Sequence, residues 1–445
     1  MKPRSGSISP VTTAKVLSLI ILSSALFIAP NITKKGDSAV IDYLETIDWD
    51  ERHPIEFYGT LLDSLAEAYP KVATTYSIGH SWRERPIWCI EISSVSSRNK
   101  KVEVAVIGNI HGGEKESGES AAYVAWWLIM NYDNDPTAKQ VLDNYIVYVV
   151  PVMNPDGYAY NTRSNLRPLD KDGNGISCDD PRVDVDGDGY ISRLYQGPAD
   201  TPAEDLSSLP SLGYESLDWN RDGIFGNDDK PSGIDLNRNF DYMWGRLDID
   251  EDPMIGSKGS ESSRGPDAAS EPETRFIQDF LASKNIKALA TLHTGIQCVL
   301  WPWCYTEEDP IDGAYMQATS EAMADAFSES TGKNYYAMQS YEDYPTTSEL
   351  IDYSYGRLGI YSYTVEVYSG GTGTYDWGNP RPDPRYIWEY VGDWADSRGT
   401  IYPDVWLRKS LYSGLPQGDL HLVCEGNLAA MLVMFESVPP TPTIP

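Results

Sequence analysis

The chain has 445 residues, 41% of them hydrophobic, enough apolar material for one large core or two ordinary ones. Its formal charge is −31 at pH 7. Phosphate backbones are bound by basic patches, so this balance argues against nucleic acid as a partner and suits a secreted or salt-exposed surface.

The first 30 residues have the layout of a targeting segment. Lys2, Arg4 and Lys15 precede an apolar stretch over 16–29. That stretch is shorter than the roughly 20 residues of a spanning helix and fits a secretory signal better. Export is the expectation, with an uncleaved N-terminal anchor as the alternative, and no second long apolar stretch follows. Residues 53–69 carry Phe57, Leu61, Leu62, Leu65 and Ala66 on one helical face and end before Pro70. Residues 72–94 read as two strands around a turn at 81–85. The apolar run 104–107 reads as a buried strand and 120–130 as a helix, so His111-Gly112-Gly113-Glu114 falls in a strand-to-helix turn.

Residues 145–152 form a continuous β-branched run, as expected of a strand buried on both faces, and lead into the turn sequence Asn154-Pro155-Asp156-Gly157. Between 166 and 232 the chain turns acidic. Three stretches place oxygen-bearing side chains at alternate positions before a glycine: Asp170, Asp172 and Asn174; Asp184, Asp186 and Asp188; Asp218, Asn220 and Asp222, the last with Asp229 at the twelfth position. Such a loop wraps Ca²⁺. The flanks lack helical pattern and the insertion has no apolar core of its own, so bound Ca²⁺ would be what orders it. A solvated acidic loop is the alternative.

Further on, 271–284 reads as a helix, 289–293 as a strand ending in His293, and 315–331 as a helix. Residues 335–352 read as a mobile loop containing Tyr344, and 363–368 as a strand that holds a lone acid, Glu366. Residues 428–435 read as a closing helix and 438–445 as a Pro/Thr tail, while 394–417 is an elaboration with no functional reading. The five cysteines, at 89, 178, 298, 304 and 424, are odd in number and lack the paired spacing of a zinc knuckle. Cys298 and Cys304 are the most local disulfide candidate in an exported chain, with free buried thiols the alternative.

Strands alternating with helices imply an α/β fold: a mixed, mostly parallel central sheet with helices on both faces and a site at the carboxyl ends of its strands. A histidine and a carboxylate three residues apart in a turn can converge on one cation, and zinc accepts both while leaving a position for water. Of the five histidines, at 53, 80, 111, 293 and 421, His293 also ends an apolar run and would be delivered by a second strand.

In this order, His111-Gly-Gly-Glu114, Asn154-Pro-Asp-Gly157, Asp235-Leu-Asn-Arg-Asn-Phe240, Leu292-His293-Thr294 and Thr364-Val-Glu366-Val resemble the zinc carboxypeptidase family, to which carboxypeptidases A, B and T belong. The resemblance spans 43–437 and implies a single catalytic domain interrupted by the 166–232 insertion. It implies that His111, Glu114 and His293 hold one Zn²⁺, and that Glu366 takes a proton from zinc-bound water and passes it to the leaving amine. It implies that Asn237 and Arg238 bind the terminal carboxylate, for which an arginine fork with a neighbouring amide is suited. Tyr344 would cap the substrate, and a second arginine would stabilise the oxyanion, with Arg163 the first choice and Arg167 the competitor. Ile351 stands where relatives carry the floor of the specificity pocket and would favour aliphatic or aromatic C-terminal residues; Glu349, two residues away, would turn the pocket toward Lys or Arg.

The expected protein is a secreted zinc metallocarboxypeptidase acting on peptide or protein C-termini, with structural Ca²⁺. The chain ahead of the domain is too short for a globular pro-domain, so activity need not await proteolysis. One rival is an amide hydrolase of the same fold acting on cell-wall stem peptides. Another is an inactive, calcium-dependent binding protein, disfavoured because all three ligands and the base are present.

Overall fold

The computed structural model describes residues 38–95, 101–167, 185, 192–215, 233–246, 248, 263–368, 386–396, 399–410 and 419–438. The targeting segment, all candidate calcium ligands from Asp170 to Asp229, Cys178 and residues 439–445 lie outside the described residues.

Two helices, α1 (Ser38–Glu45) and α2 (Ile55–Ala68), lead into the antiparallel pair β1 (Ala73–His80) and β2 (Pro86–Ile92). Helix α2 buries Leu61, Leu62 and Leu65, the stripe its spacing predicts. Strand β3 (Val102–Gly108) is followed by α3 (Lys115–Met130), α4 (Pro136–Asn144), β4 (Tyr145–Val150) and α5 (Pro155–Ala159). Helix α3 starts ahead of its apolar pattern because its opening turns, Glu116 to Ser120, are polar residues buried completely. Their carboxylates are partnered by protein rather than by water: Arg52 pairs with Glu116 at 2.7 Å, and Glu119 accepts from the His53 backbone N–H at 2.7 Å and lies 3.0 Å from His53 Nδ1. Helix α4 is short and mostly polar. It is started by Asp135, whose carboxylate accepts from the N–H groups of Thr137 and Ala138, with Pro136 at the first position. The Asn-Pro-Asp-Gly sequence is more than a turn, since Asn154 Oδ1 accepts from Gly157 N–H at 2.9 Å and caps α5.

The remaining elements are β5 (Arg193–Gln196), β6 (Ser211–Tyr214), α6 (Pro272–Ser283), β7 (Ile286–His293), β8 (Cys298–Trp301), α7 (Gly313–Thr331), β9 (Tyr336–Gln339), α8 (Ser340–Asp343), α9 (Leu350–Leu358), β10 (Tyr361–Glu366), β11 (Tyr386–Ala395), β12 (Ile401–Ser410) and α10 (Leu420–Ser437). The stretch 335–352, expected as a loop, is therefore largely regular. Its strand and its helical turn are each too short to show a full period of pattern.

Eight strands form one mixed sheet in the order β1-β2-β4-β3-β7-β10-β8-β9, with β4, β3, β7 and β10 parallel at its centre. One face packs Ala105, Ile107, Tyr148 and Leu289 against Ile277, Phe280 and Leu281 of α6 and Leu350 of α9. Helix α10 packs against α3 and α7. A second sheet, in the order β11-β12-β5-β6, is wholly antiparallel and closes on Leu194, Trp394, Val405 and Leu407. It corrects the view of the insertion as lacking a core: residues 193–214 bury Leu194 against partners from the far end of the chain. Cys89, Cys298, Cys304 and Cys424 are free and buried, so Cys298 and Cys304 are not joined. No described helix is long and apolar enough to cross a membrane.

Candidate active site and metal centre

The carboxyl ends of β3, β7 and β10 lie side by side. β7 ends on His293 and β10 on Glu366, and these two residues are register partners across the parallel pair. His111 follows the end of β3 in a loop held by Asn109. That residue adopts φ +55°, a left-handed conformation that asparagine tolerates. Asn109 Nδ2 donates to the carbonyls of His111, Gly112 and Glu114 at 3.1, 3.2 and 3.0 Å. Gly112 admits no side chain, because a Cβ there would stand 2.0 Å from the carbonyl carbon of Gly157. The loop thus packs backbone on backbone, with Gly112 and Gly113 N–H donating to the carbonyls of Arg163 and Thr162.

His111 Nδ1 lies 2.9 Å from Glu114 Oε1 and 3.2 Å from His293 Nδ1, and Glu114 Oε2 lies 3.3 Å from His293 Nδ1. One ligand atom from each of the three buried residues lies within 4.8 Å of the others. On its far side His111 Nε2 meets Asp235 Oδ1 at 3.1 Å. A proton held there leaves the Nδ1 lone pair free toward the centre, the outer-shell arrangement typical of a metal-bound histidine. Two imidazole nitrogens and a carboxylate facing one buried point form the donor set of a divalent cation with an open position.

The charges agree. Burial alone would raise the Glu114 carboxyl, but His111 and His293 overcome it and hold it below the usual carboxylate range. Asp235 is likewise raised by burial but held well below that range by Arg163 and His111. Glu366 goes the other way: burial pushes it up to about 8, with His293 opposing and Glu114 adding to the rise. Its Oε2 is buried with no hydrogen-bond partner among the described residues. A cation between the histidines would draw this carboxyl down again.

Around this centre is a cavity of about 250 Å³ lined by His111, Glu114, His293 and Glu366 together with Arg163, Asn237, Arg238 and Tyr344. Arg163 Nε donates to Asp235 Oδ2 at 2.7 Å, and its Nη1 stands 3.8 Å from Glu114. Arg167, the competitor, points elsewhere: it pairs with Glu271 at 2.7 Å and lies over the Trp82 ring. Asn237 Oδ1 accepts from Leu350 N–H at 3.0 Å, and its Nδ2 has no partner among the described residues. Arg238, 2% exposed, donates through Nη1 to Glu349 and through Nη2 to Tyr344 Oη, each at 2.9 Å. Its Nε is buried without a partner among the described residues.

Ile351 and Glu349 differ in how they meet the cavity. Ile351 is fully buried in the first turn of α9, and it is not among the side chains lining the cavity; Glu349, just ahead of the helix, is. Two further residues shape the site: Asn109, which holds the His111 loop, and Asp235, which meets His111 and Arg163. Asp235 opens the Asp-x-Asn-Arg-Asn motif, which was the available signal; a lone asparagine before the His-Gly-Gly-Glu loop offers none. A larger hollow of about 370 Å³, between α2 and β2 and walled by Pro86, Trp88, Pro151 and Val152, holds none of these groups.

Comparison with known proteins agrees with this geometry. Bovine (Bos taurus) carboxypeptidase O is 26% identical over 338 residues, covering 74% of this chain and 73% of that protein. Carboxypeptidase B of Astacus astacus is 25% identical over 329 residues, covering 73% and 89%. The fold resembles the crystal structures of thrombin activatable fibrinolysis inhibitor (TM-score 0.60, 19% identity, 88% of this chain and 75% of that one). It also resembles carboxypeptidase A from Helicoverpa armigera (TM-score 0.59, 17% identity, 89% and 75%). The family model described as zinc carboxypeptidase matches residues 58–376, and with two histidines and a glutamate converging inside that span, the chain belongs to the zinc carboxypeptidase family and is a metallocarboxypeptidase.

Proposed function

We propose that the chain removes the last residue from peptides and proteins, with His111, Glu114 and His293 as zinc ligands and Glu366 as general base. The observation that carries this reading is the in-register pairing of Glu366 with His293, with a carboxylate oxygen that has no partner among the described residues in the same cavity as the candidate cation ligands and Arg238. Zinc, when bound, supplies an activated water and Lewis-acid polarisation of the scissile carbonyl.

Glu366 Oε2 accepts the proton of the water whose oxygen adds to the carbonyl carbon, then returns it to the amine nitrogen as the C–N bond breaks. Arg163, held by Asp235, faces the oxygen on which negative charge develops. Asn237, through Nδ2, and Arg238 bind the terminal carboxylate, which displaces Tyr344 Oη from Arg238 and lets that exposed tyrosine close over the terminal residue. Export is supported by the apolar segment 16–29 and calcium binding by the repeated acidic stretches, both features of the sequence.

The deciding experiment is hydrolysis of blocked dipeptides by wild type and Glu366→Gln, alongside zinc content. We expect the variant to keep its zinc and lose roughly 10²–10⁴-fold in kcat, the range for a general base. Undiminished turnover in Glu366→Gln, or a wild-type protein that binds no zinc, would refute the assignment.

A further inference from the structure

The charges around Arg238 do not balance once a substrate docks. Before binding, Arg238 is paired with Glu349, a residue 7% exposed whose Oε1 accepts from Arg238 Nη1 at 2.9 Å. Arg163 is already matched by Asp235 at 2.7 Å. Cys304 also meets Glu349, its Sγ 3.5 Å from Oε2, but burial pushes its thiol up, so it stays a neutral donor. A terminal carboxylate arriving at Arg238 therefore puts two anions on one guanidinium in a buried site, leaving one negative charge over. A cation carried by the substrate restores neutrality.

The cavity lining agrees. Beyond the groups already given roles, it offers the carboxylates of Glu349 and Asp343, the hydroxyls of Ser340, Thr294 and Thr364, and only Ile296 and Leu300 as aliphatic side chains. The Thr364 and Thr294 hydroxyl oxygens are buried with no partner among the described residues, at 4% and 2% residue exposure. An aliphatic or aromatic terminal side chain would leave both unpaired and press against a charged carboxylate.

We propose that the pocket takes a C-terminal residue with a cationic side chain, lysine or arginine, with Glu349 and Asp343 as counter-charges and the Thr364 hydroxyl as an acceptor. This rests on the carboxypeptidase reading above and names its substrate class. Glu349 then has two tasks, holding Arg238 and selecting the terminal side chain, and only the second distinguishes between substrates.

The test measures kcat/KM of the full-length zinc protein on paired blocked dipeptides ending in Arg, Lys, Leu or Phe, for wild type, Glu349→Gln and Asp343→Asn. Wild type is expected to prefer Arg and Lys over Phe by roughly a hundredfold, the scale of a buried charge pair. Glu349→Gln is expected to collapse that ratio, and Asp343→Asn to reduce it. Preference for Phe or Leu in wild type overturns the proposal. So does a Glu349→Gln variant that slows every substrate equally, which would make Glu349 a positioning residue for Arg238 alone. Calorimetric binding of free L-arginine against L-phenylalanine gives a readout that needs no turnover. If no dipeptide is cut but arginine binds selectively and Glu349→Gln abolishes this, the pocket assignment stands while the peptidase reading fails; if neither amino acid binds, the pocket assignment fails too.

Discussion

The two sheets of this protein bury their side chains by different means. In the eight-stranded sheet the central strands are covered on both sides, so β3, β4 and β7 are mostly apolar, and the ionisable side chains His293 and Glu366 stand at the carboxyl ends of β7 and β10. In the four-stranded sheet one face closes on Leu194, Val405 and Leu407, while the other stacks arginines on aromatics. Arg408 lies 5.3 Å from the Tyr195 ring and 5.9 Å from Trp388, and Arg193 lies 5.5 Å from Tyr195. The first construction makes a rigid rim on which ligands can be mounted. The second makes an ordered appendage without the His–Glu–His constellation, and the sharpest way to test the contrast is to damage each sheet separately.

The largest effect should come from the rim. His293→Ala removes the proposed zinc ligand that ends β7, and we expect loss of stoichiometric zinc together with a fall in peptidase activity of roughly 10⁴-fold or more, a modest share of the acceleration enzymes achieve. Elemental analysis and a dipeptide assay measure both, and near-ultraviolet circular dichroism checks that the fold persists. Retained zinc in this variant would mean that the centre lies elsewhere.

Damage to the appendage should separate stability from chemistry. Leu407 is 1% exposed in the small apolar cluster, and Leu407→Ala is expected to cost about 2–5 kcal/mol, the range for emptying a buried leucine site. Denaturant unfolding gives that figure, while zinc content and kcat/KM of the folded protein should match wild type. A parallel loss of activity would break the contrast and make the small sheet part of the site.

The same contrast governs how much could be read from the chain alone. The central strands and the residues at their ends were legible, because a long apolar run that stops at His293 or leads to His111 has few structural alternatives. The small sheet was not: its strands β5 and β12 pair across nearly half the chain, and a face of alternating arginine and aromatic residues shows no plain hydrophobic period. The opening of α3 was hidden for a related reason, since Glu116 is buried by an ion pair with Arg52 and Glu119 by hydrogen bonding to His53 rather than by apolarity. Counting positions from Tyr344 does not say which side chains near the start of α9 line the cavity: Glu349, just ahead of the helix, does, and the buried Ile351 is not among the lining residues.

Buried carboxylates also distinguish the rim, and one of them makes stability depend on pH. Glu273, completely buried at the start of α6, is pushed up to about 8, first by burial and further by Glu271 and Asp156. An acid whose folded pKa exceeds its unfolded value of about 4.3 favours the fold in its protonated form. That contribution is fully present below pH of about 4.3 and is lost as pH rises through about 8. Thermal unfolding of wild type and Glu273→Gln across this window should show wild type losing up to about 5 kcal/mol relative to the variant, about 1.4 kcal/mol for each pH unit between the two pKa values. Equal pH profiles would mean that the hydrogen bonds from Asn165 Nδ2 and Trp82 N–H already satisfy the anion.

The smallest effect, and the most discriminating, concerns Asp235, which holds His111 Nε2 with one oxygen and Arg163 Nε with the other. If the carboxylate orients the histidine and raises its basicity, Asp235→Asn should weaken zinc binding by roughly 10–100-fold, the usual cost of losing an outer-shell partner. A competitive chelator titration reads this directly, and kcat/KM at saturating zinc reads the second role separately. Normal turnover with weak zinc would assign Asp235 to the metal side alone, and normal zinc with poor turnover would assign it to Arg163. Losses in both are what the geometry leads us to expect, because the one side chain ties His111, the proposed metal ligand after β3, to the arginine beyond α5, and removing its charge releases both ends.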